Sequence, residues 1–204
     1  MPVVYVQSSR AGASRSATAR FDDLPTQSQD PGLPSPTPEI PEIPKIMDSI
    51  KLIIPVEGVR PKELRDSFDA PRSGGRLHRA IDIMAPRGTP VLAAADGEII
   101  RLSRNAAGGI TIYQLSDDER VVFYYAHLDR YADDIAAGDY ASQGDVIGFV
   151  GNTGNAASGS CHLHFSIWAV TDRKKYWTGA NINPYPILRE AGAAISEGAQ
   201  HRQR

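Results

Sequence analysis

Cysteine is nearly absent, with Cys161 alone in 204 residues, so the fold cannot rest on internal disulfides. An excess of charge of either sign is missing too. Lys and Arg total 22 against 24 Asp and Glu, which gives no electrostatic argument for a nucleic-acid or membrane-surface partner. No apolar run approaches the roughly 18 residues needed to span a bilayer. The opening Met1-Pro2-Val3-Val4-Tyr5-Val6 has no basic residue before a short apolar stretch, so no export signal is readable there. Aromatic and hydrophobic content is that of a soluble globular protein, and a monomer is the expected state.

Proline is unevenly spread. Seven of the fifteen prolines fall within residues 25–44, a spacing that forbids helix and ladder pairing and favours extended chain. Residues 1–47 are therefore expected to be a disordered head and Pro-rich linker. From Ile50 onward the texture changes to short apolar runs split by Gly, Pro, Asn and Asp. Strands are predicted at Lys51–Pro55, Thr89–Ala94, Glu98–Ser103, Gly109–Leu115, Arg120–His127, Asp145–Val150 and His162–Val170. Residues 108–127 read as a hairpin with an acidic tip at 116–119. Helical turns are expected only at Pro61–Asp66 and around Asp129–Ala137. The fold class is thus mainly β, an antiparallel sheet domain over 48–188, with 189–204 as a C-terminal tail.

The histidines carry the chemistry. Of five, His201 lies in the tail, and the other four sit inside or beside predicted strands. His162 and His164 are two residues apart, so a strand points both to one face, while Leu163 and Phe165 point to the other. His78 and Asp82 share a face in extended chain. A catalytic zinc takes three protein ligands from His and Asp or Glu and leaves a position open. His78, Asp82 and one histidine of the pair supply that set. His127 and the other member remain to move a proton and to stabilise an oxyanion. Spacing alone does not say which of His162 and His164 is the ligand. Cys161 falls on the Leu163 face, away from the metal, and is expected to pack.

The motifs His78-x-x-x-Asp82, Tyr125-Ala126-His127-Leu128, Gly151-Asn152-Thr153-Gly154 and His162-Leu163-His164-Phe165, closed by Asn183-Pro184, follow one another in order. In this the sequence resembles the lysostaphin-like (LytM-type) zinc endopeptidases that cleave peptidoglycan peptides. The resemblance covers roughly residues 50–188. It implies the family's antiparallel β fold (the duplicated hybrid motif), Zn²⁺ held by His78, Asp82 and His164, and His127 and His162 as the catalytic pair. It also implies peptidoglycan peptides as substrate and a periplasmic or extracellular site of action. The alternative is a LytM-like domain without activity that binds peptidoglycan or activates a cell-wall amidase. Two departures stand out: Arg79-Ala80 replaces a more usual small residue and glycine, and Cys161 stands where proline or another small residue is common. The loop Gly154–Gly159 is expected to help shape the substrate groove.

Overall fold

The structure is a computed structural model, which describes Ile46 and residues 51–156, 159–170 and 172–190. Nine strands form one antiparallel sheet: β1 (Ile81–Met84), β2 (Pro90–Leu92), β3 (Gly97–Asn105), β4 (Gly109–Ser116), β5 (Val121–Tyr131), β6 (Tyr140–Ala141), β7 (Val146–Val150), β8 (His162–Ala169) and β9 (Asn181–Ile182). The main path runs β1-β8-β5-β4-β3-β6. β9 pairs with the far half of β8, and β7 joins β2 to the far end of β5. Short 3-10 turns and a helical stretch over 184–190 complete the described residues. The expected fold class, mainly β and antiparallel with few short helices, is the one observed.

Side-chain alternation explains how the sheet divides its faces. Ile81, Ile83, Phe123, Tyr125, Leu163, Phe165 and Ile167 are buried in the larger core. Tyr113, Leu115, Val122, Tyr124 and Ala126 form a smaller cluster, against which Trp168 packs. Because Trp168, His164 and His162 share parity on β8, the two histidines emerge beside this smaller cluster. Cys161 packs against the larger core, as its parity predicts.

Two element predictions need correction. Lys51–Pro55 is not a strand: it runs as irregular chain, tied by Ile53 N–H to Ala94 O at 3.0 Å, and only Val56 makes an isolated bridge, to Val91. Asp129–Ala137 is not helical: β5 continues to Tyr131, and residues 132–137 are turns and irregular chain. Past His127 the strand changes partner, and Leu128, Arg130 and Tyr131 pair with Val150, Phe149 and Gly148 of β7. The strand predicted at Thr89–Ala94 shortens to Pro90–Leu92. The calls on 1–47 and 189–204 lie outside the described residues, save Ile46, Arg189 and Glu190, as does the middle of the 154–159 loop.

Candidate metal centre

Asp82 and His164 face each other as direct cross-strand partners between β1 and β8. Such pairs bring side chains on one face into contact. His164 Nδ1 lies 3.3 Å from Asp82 Oδ1. His78 enters from the irregular chain before β1, where Arg79 adopts φ 55°, and its Nε2 lies 3.0 Å from Asp82 Oδ1 and 2.9 Å from His164 Nδ1. Donors at about 2.0–2.1 Å from a tetrahedral zinc are separated by about 3.3 Å. The three observed spacings approach that figure.

Hydrogen bonding strengthens the fit. His78 Nδ1–H donates to Ser67 O at 3.0 Å, which leaves Nε2 with a lone pair. That lone pair faces an Asp82 oxygen that also has only lone pairs when ionised. Two acceptors so close repel unless a proton or a cation lies between them. The side chain of His78 is almost fully buried, and those of Asp82 and His164 are partly so. Burial pushes the Asp82 carboxyl up, but the adjoining His164 and His78 imidazoles outweigh it and leave it well below the usual carboxylate range. Burial pushes the His164 imidazole down. An ionised carboxylate and neutral imidazoles are the forms that bind a metal.

Partners further out orient this group, and apart from Asn183 the motif pattern gave no sign of them. Arg72 Nη2 donates to Asp82 Oδ2 at 2.8 Å, so only Oδ1 faces the two imidazoles. Ser67 Oγ accepts from Asp82 N–H at 3.3 Å. Asn183 accepts from Tyr185 N–H at 3.0 Å, starting the 184–190 helix ahead of Pro184, and its Nδ2 reaches Asp66 Oδ2 at 3.4 Å, beside Ser67. Thus the closing Asn-Pro motif contacts Asp66, the neighbour of the residue that fixes the His78 tautomer.

His127 reaches the same face by a backbone irregularity. By simple alternation it would share the side of Phe123 and Tyr125, in the larger core. Between the pairs Tyr125–Ile112 and Leu128–Ile110, however, Ala126 and His127 together oppose the single residue Thr111. This extra residue is a β-bulge, and His127 sits in it at φ 63°. The turned ring lies 5.1 Å from His162 and 5.5 Å from His164, centroid to centroid. Its Nδ1–H donates to Thr153 O at 2.9 Å, which leaves Nε2 unprotonated. Burial, followed by the proximity of His164, lowers its pKa to about 4. His162 is held likewise, Nδ1–H to Ser160 O at 2.9 Å, with Nε2 3.7 Å from Asp82 Oδ1.

The Gly151–Gly154 loop fills the bulge. Thr153 Oγ–H donates to Leu128 O at 2.7 Å and accepts from Ile110 N–H at 3.0 Å. Gly154 has φ 69°, and a Cβ there would stand 2.3 Å from Gly109 N, so no other residue fits. Replacing Thr153 with valine strands one backbone donor and one acceptor at the strand junction. The expected cost is about 2 kcal/mol of unfolding free energy by denaturant titration, with Thr153→Ser losing much less.

All five residues picked out from the sequence are therefore brought together: His78, Asp82 and His164 as a converging set, with His127 and His162 beside it. Residues 76–184, which span the whole arrangement, match peptidase family M23. The chain belongs to that family. It is 33% identical over 121 residues to the L-Ala–D-Glu endopeptidase of Bacillus subtilis, covering 57% of this chain and 36% of the relative. It is 31% identical over 125 residues to lysostaphin of Staphylococcus simulans, covering 61% of this chain and 24% of the relative. The chain thus spans about a third or less of the length of these relatives. Its fold matches the catalytic domain of S. simulans lysostaphin with a TM-score of 0.51 at 24% identity, over 71% of this chain and 96% of that one.

Proposed function

We propose that this M23 domain, taken as residues 48–188, is a zinc-dependent endopeptidase acting on peptide bonds of peptidoglycan. The observation that carries the reading is the convergence of His78 Nε2, Asp82 Oδ1 and His164 Nδ1 beside two further histidines, each tied at Nδ1 to a backbone carbonyl so that Nε2 is the nitrogen left for chemistry. Zinc held by the first three would supply Lewis acidity, lowering the pKa of a water and polarising a carbonyl. His127 and His162 do the proton work: one accepts a proton at Nε2 and returns it to the leaving amine, and the other, carrying a proton on Nε2 as well as on Nδ1, donates it as a hydrogen bond to the developing oxyanion. Arg72 keeps the second Asp82 oxygen occupied, so the carboxylate presents one oxygen to the centre.

Relatives of this chain carry the names L-Ala–D-Glu endopeptidase and lysostaphin, which supports peptides of the wall as the substrate class. Such a substrate places the protein outside the cytoplasmic membrane. No helix among the described residues is long and apolar enough to cross one. Digestion of cross-linked muropeptides with mass detection of the products tests the reading. New amino and carboxyl termini that appear with zinc and vanish with chelator are expected. A protein that binds muropeptides and zinc yet releases no product would instead be a binding or amidase-activating domain.

A further inference from the structure

Among the described residues the sheet ends, on the metal side, at β1, a four-residue strand paired only with β8. In an antiparallel pair the backbone groups of alternate residues point toward the partner strand and away from it. Asp82 N–H bonds to Ser67 Oγ, and His162 N–H, across from Met84, bonds to Gly151 O at 3.1 Å. Both point away from the β1–β8 seam. Asp82–His164 and Met84–His162 are therefore the pairs whose N–H and C=O groups face outward.

For Asp82 the outward N–H is taken by Ser67. For Met84 neither the N–H nor the C=O has a partner beyond the strand among the described residues. Two residues further on, Pro86 has no N–H to offer, so the open edge is centred on Met84. The Met84 side chain lies on the histidine face, opposite His162, and is 55% exposed. Short edge strands are usually covered or blunted by charge or bulges. This one is open, apolar and two residues, about 7 Å, from the Asp82 ligand position.

We propose that Met84 is a backbone clip for the substrate: an extended peptide segment adds to the edge of β1, exchanging N–H and C=O bonds with Met84 while its scissile bond lies at His78, Asp82 and His164. The occupant is a peptide main chain rather than a sugar or an isolated carboxylate, because the site offers one donor and one acceptor at strand spacing and no charge. The thioether opposite His162 contacts the side chain of the clipped residue. The proposal rests on the peptidase reading and adds the mode by which the peptide is held.

Proline at position 84 deletes the outward N–H without removing a β1–β8 hydrogen bond, and Ile83 before it is already extended. Met84→Pro and Met84→Ala both lack the thioether, so the difference between them isolates the N–H. With cross-linked muropeptides from purified sacculi, Met84→Pro is expected to have a kcat/KM about tenfold below that of Met84→Ala, mostly in KM. Zinc content and Tm should be the same in the two variants. Equal kcat/KM values in two folded, zinc-loaded variants overturn the clip while leaving the peptidase reading standing. A second arm does not need turnover. In zinc-loaded His127→Ala protein titrated with the same fragments, the Met84 amide resonance should shift and gain protection from hydrogen exchange. An unmoved Met84 amide under saturating fragment also overturns the clip, whether or not the wild type cleaves.

Discussion

His164→Ala is expected to lose both zinc and turnover. His164 is the structural hinge of the site: it is the β8 partner of Asp82 on one side and of Ala126 on the other, so its ring stands over the seam of three strands. Removing the ring deletes one of three converging donors and leaves His78 Nε2 and Asp82 Oδ1, 3.0 Å apart, without the third. Loss of even an orienting partner of a metal ligand costs 10–100-fold in affinity, so loss of a ligand should weaken zinc by more than about 100-fold. Competition against a fluorescent chelator measures this, and muropeptide turnover should fall to background in the same preparation. The larger core is untouched, because Leu163 and Phe165 on the opposite face remain. A His164→Ala protein with full activity would exclude this residue from the centre.

His127→Ala is expected to separate the two properties. Its ring is no part of the converging set, so zinc should bind with wild-type stoichiometry. Turnover should fall by about 10²–10⁴, the usual worth of a positioned proton-transfer group. The residue also sets a pH dependence. Burial, with His164 nearby, holds its folded-state pKa at about 4, against an ordinary histidine value of 6.5. The unfolded chain therefore takes up a proton at this position before the folded one does. The stability that neutral His127 confers is complete above pH 6.5 and is lost as pH falls toward 4. His164, lowered by burial in the same direction, adds to the loss. In metal-free protein, Tm should fall across this window, and fall less steeply in His127→Gln, which has nothing to titrate.

Much of this centre was legible in the linear sequence, for reasons that differ from residue to residue. The His162–His164 pair could be read because strand alternation is strict, and β8 is a regular strand with its apolar residues on the other face. His78 and Asp82 could be paired by spacing, although His78 proved to sit in irregular chain rather than on a strand. The orientation of His127 could not be read. Alternation points it into the core, and only the bulge opposite Thr111 and the Gly151–Gly154 loop turn it to the site. A histidine ending a β-prone run and followed, two dozen residues on, by a Gly-x-Thr-Gly loop carries no local sign that the two meet. Ser67 and Arg72 were invisible for the same reason: both reach the site from irregular chain ahead of the His78 motif. The helical expectation at Asp129–Ala137 failed because tertiary pairing with β7 extends β5 beyond the bulge.

The central claim is that His78, Asp82 and His164 hold a zinc ion while His127 and His162 do not. Crystals of zinc-loaded protein, with anomalous data collected on both sides of the zinc absorption edge, test it directly. The expected result is a single strong peak about 2.0–2.1 Å from His78 Nε2, Asp82 Oδ1 and His164 Nδ1. His127 Nε2 and His162 Nε2 should lie outside bonding distance of it. A peak ligated by His127 or His162 in place of His164, or zinc bound only elsewhere on the chain, would contradict the account.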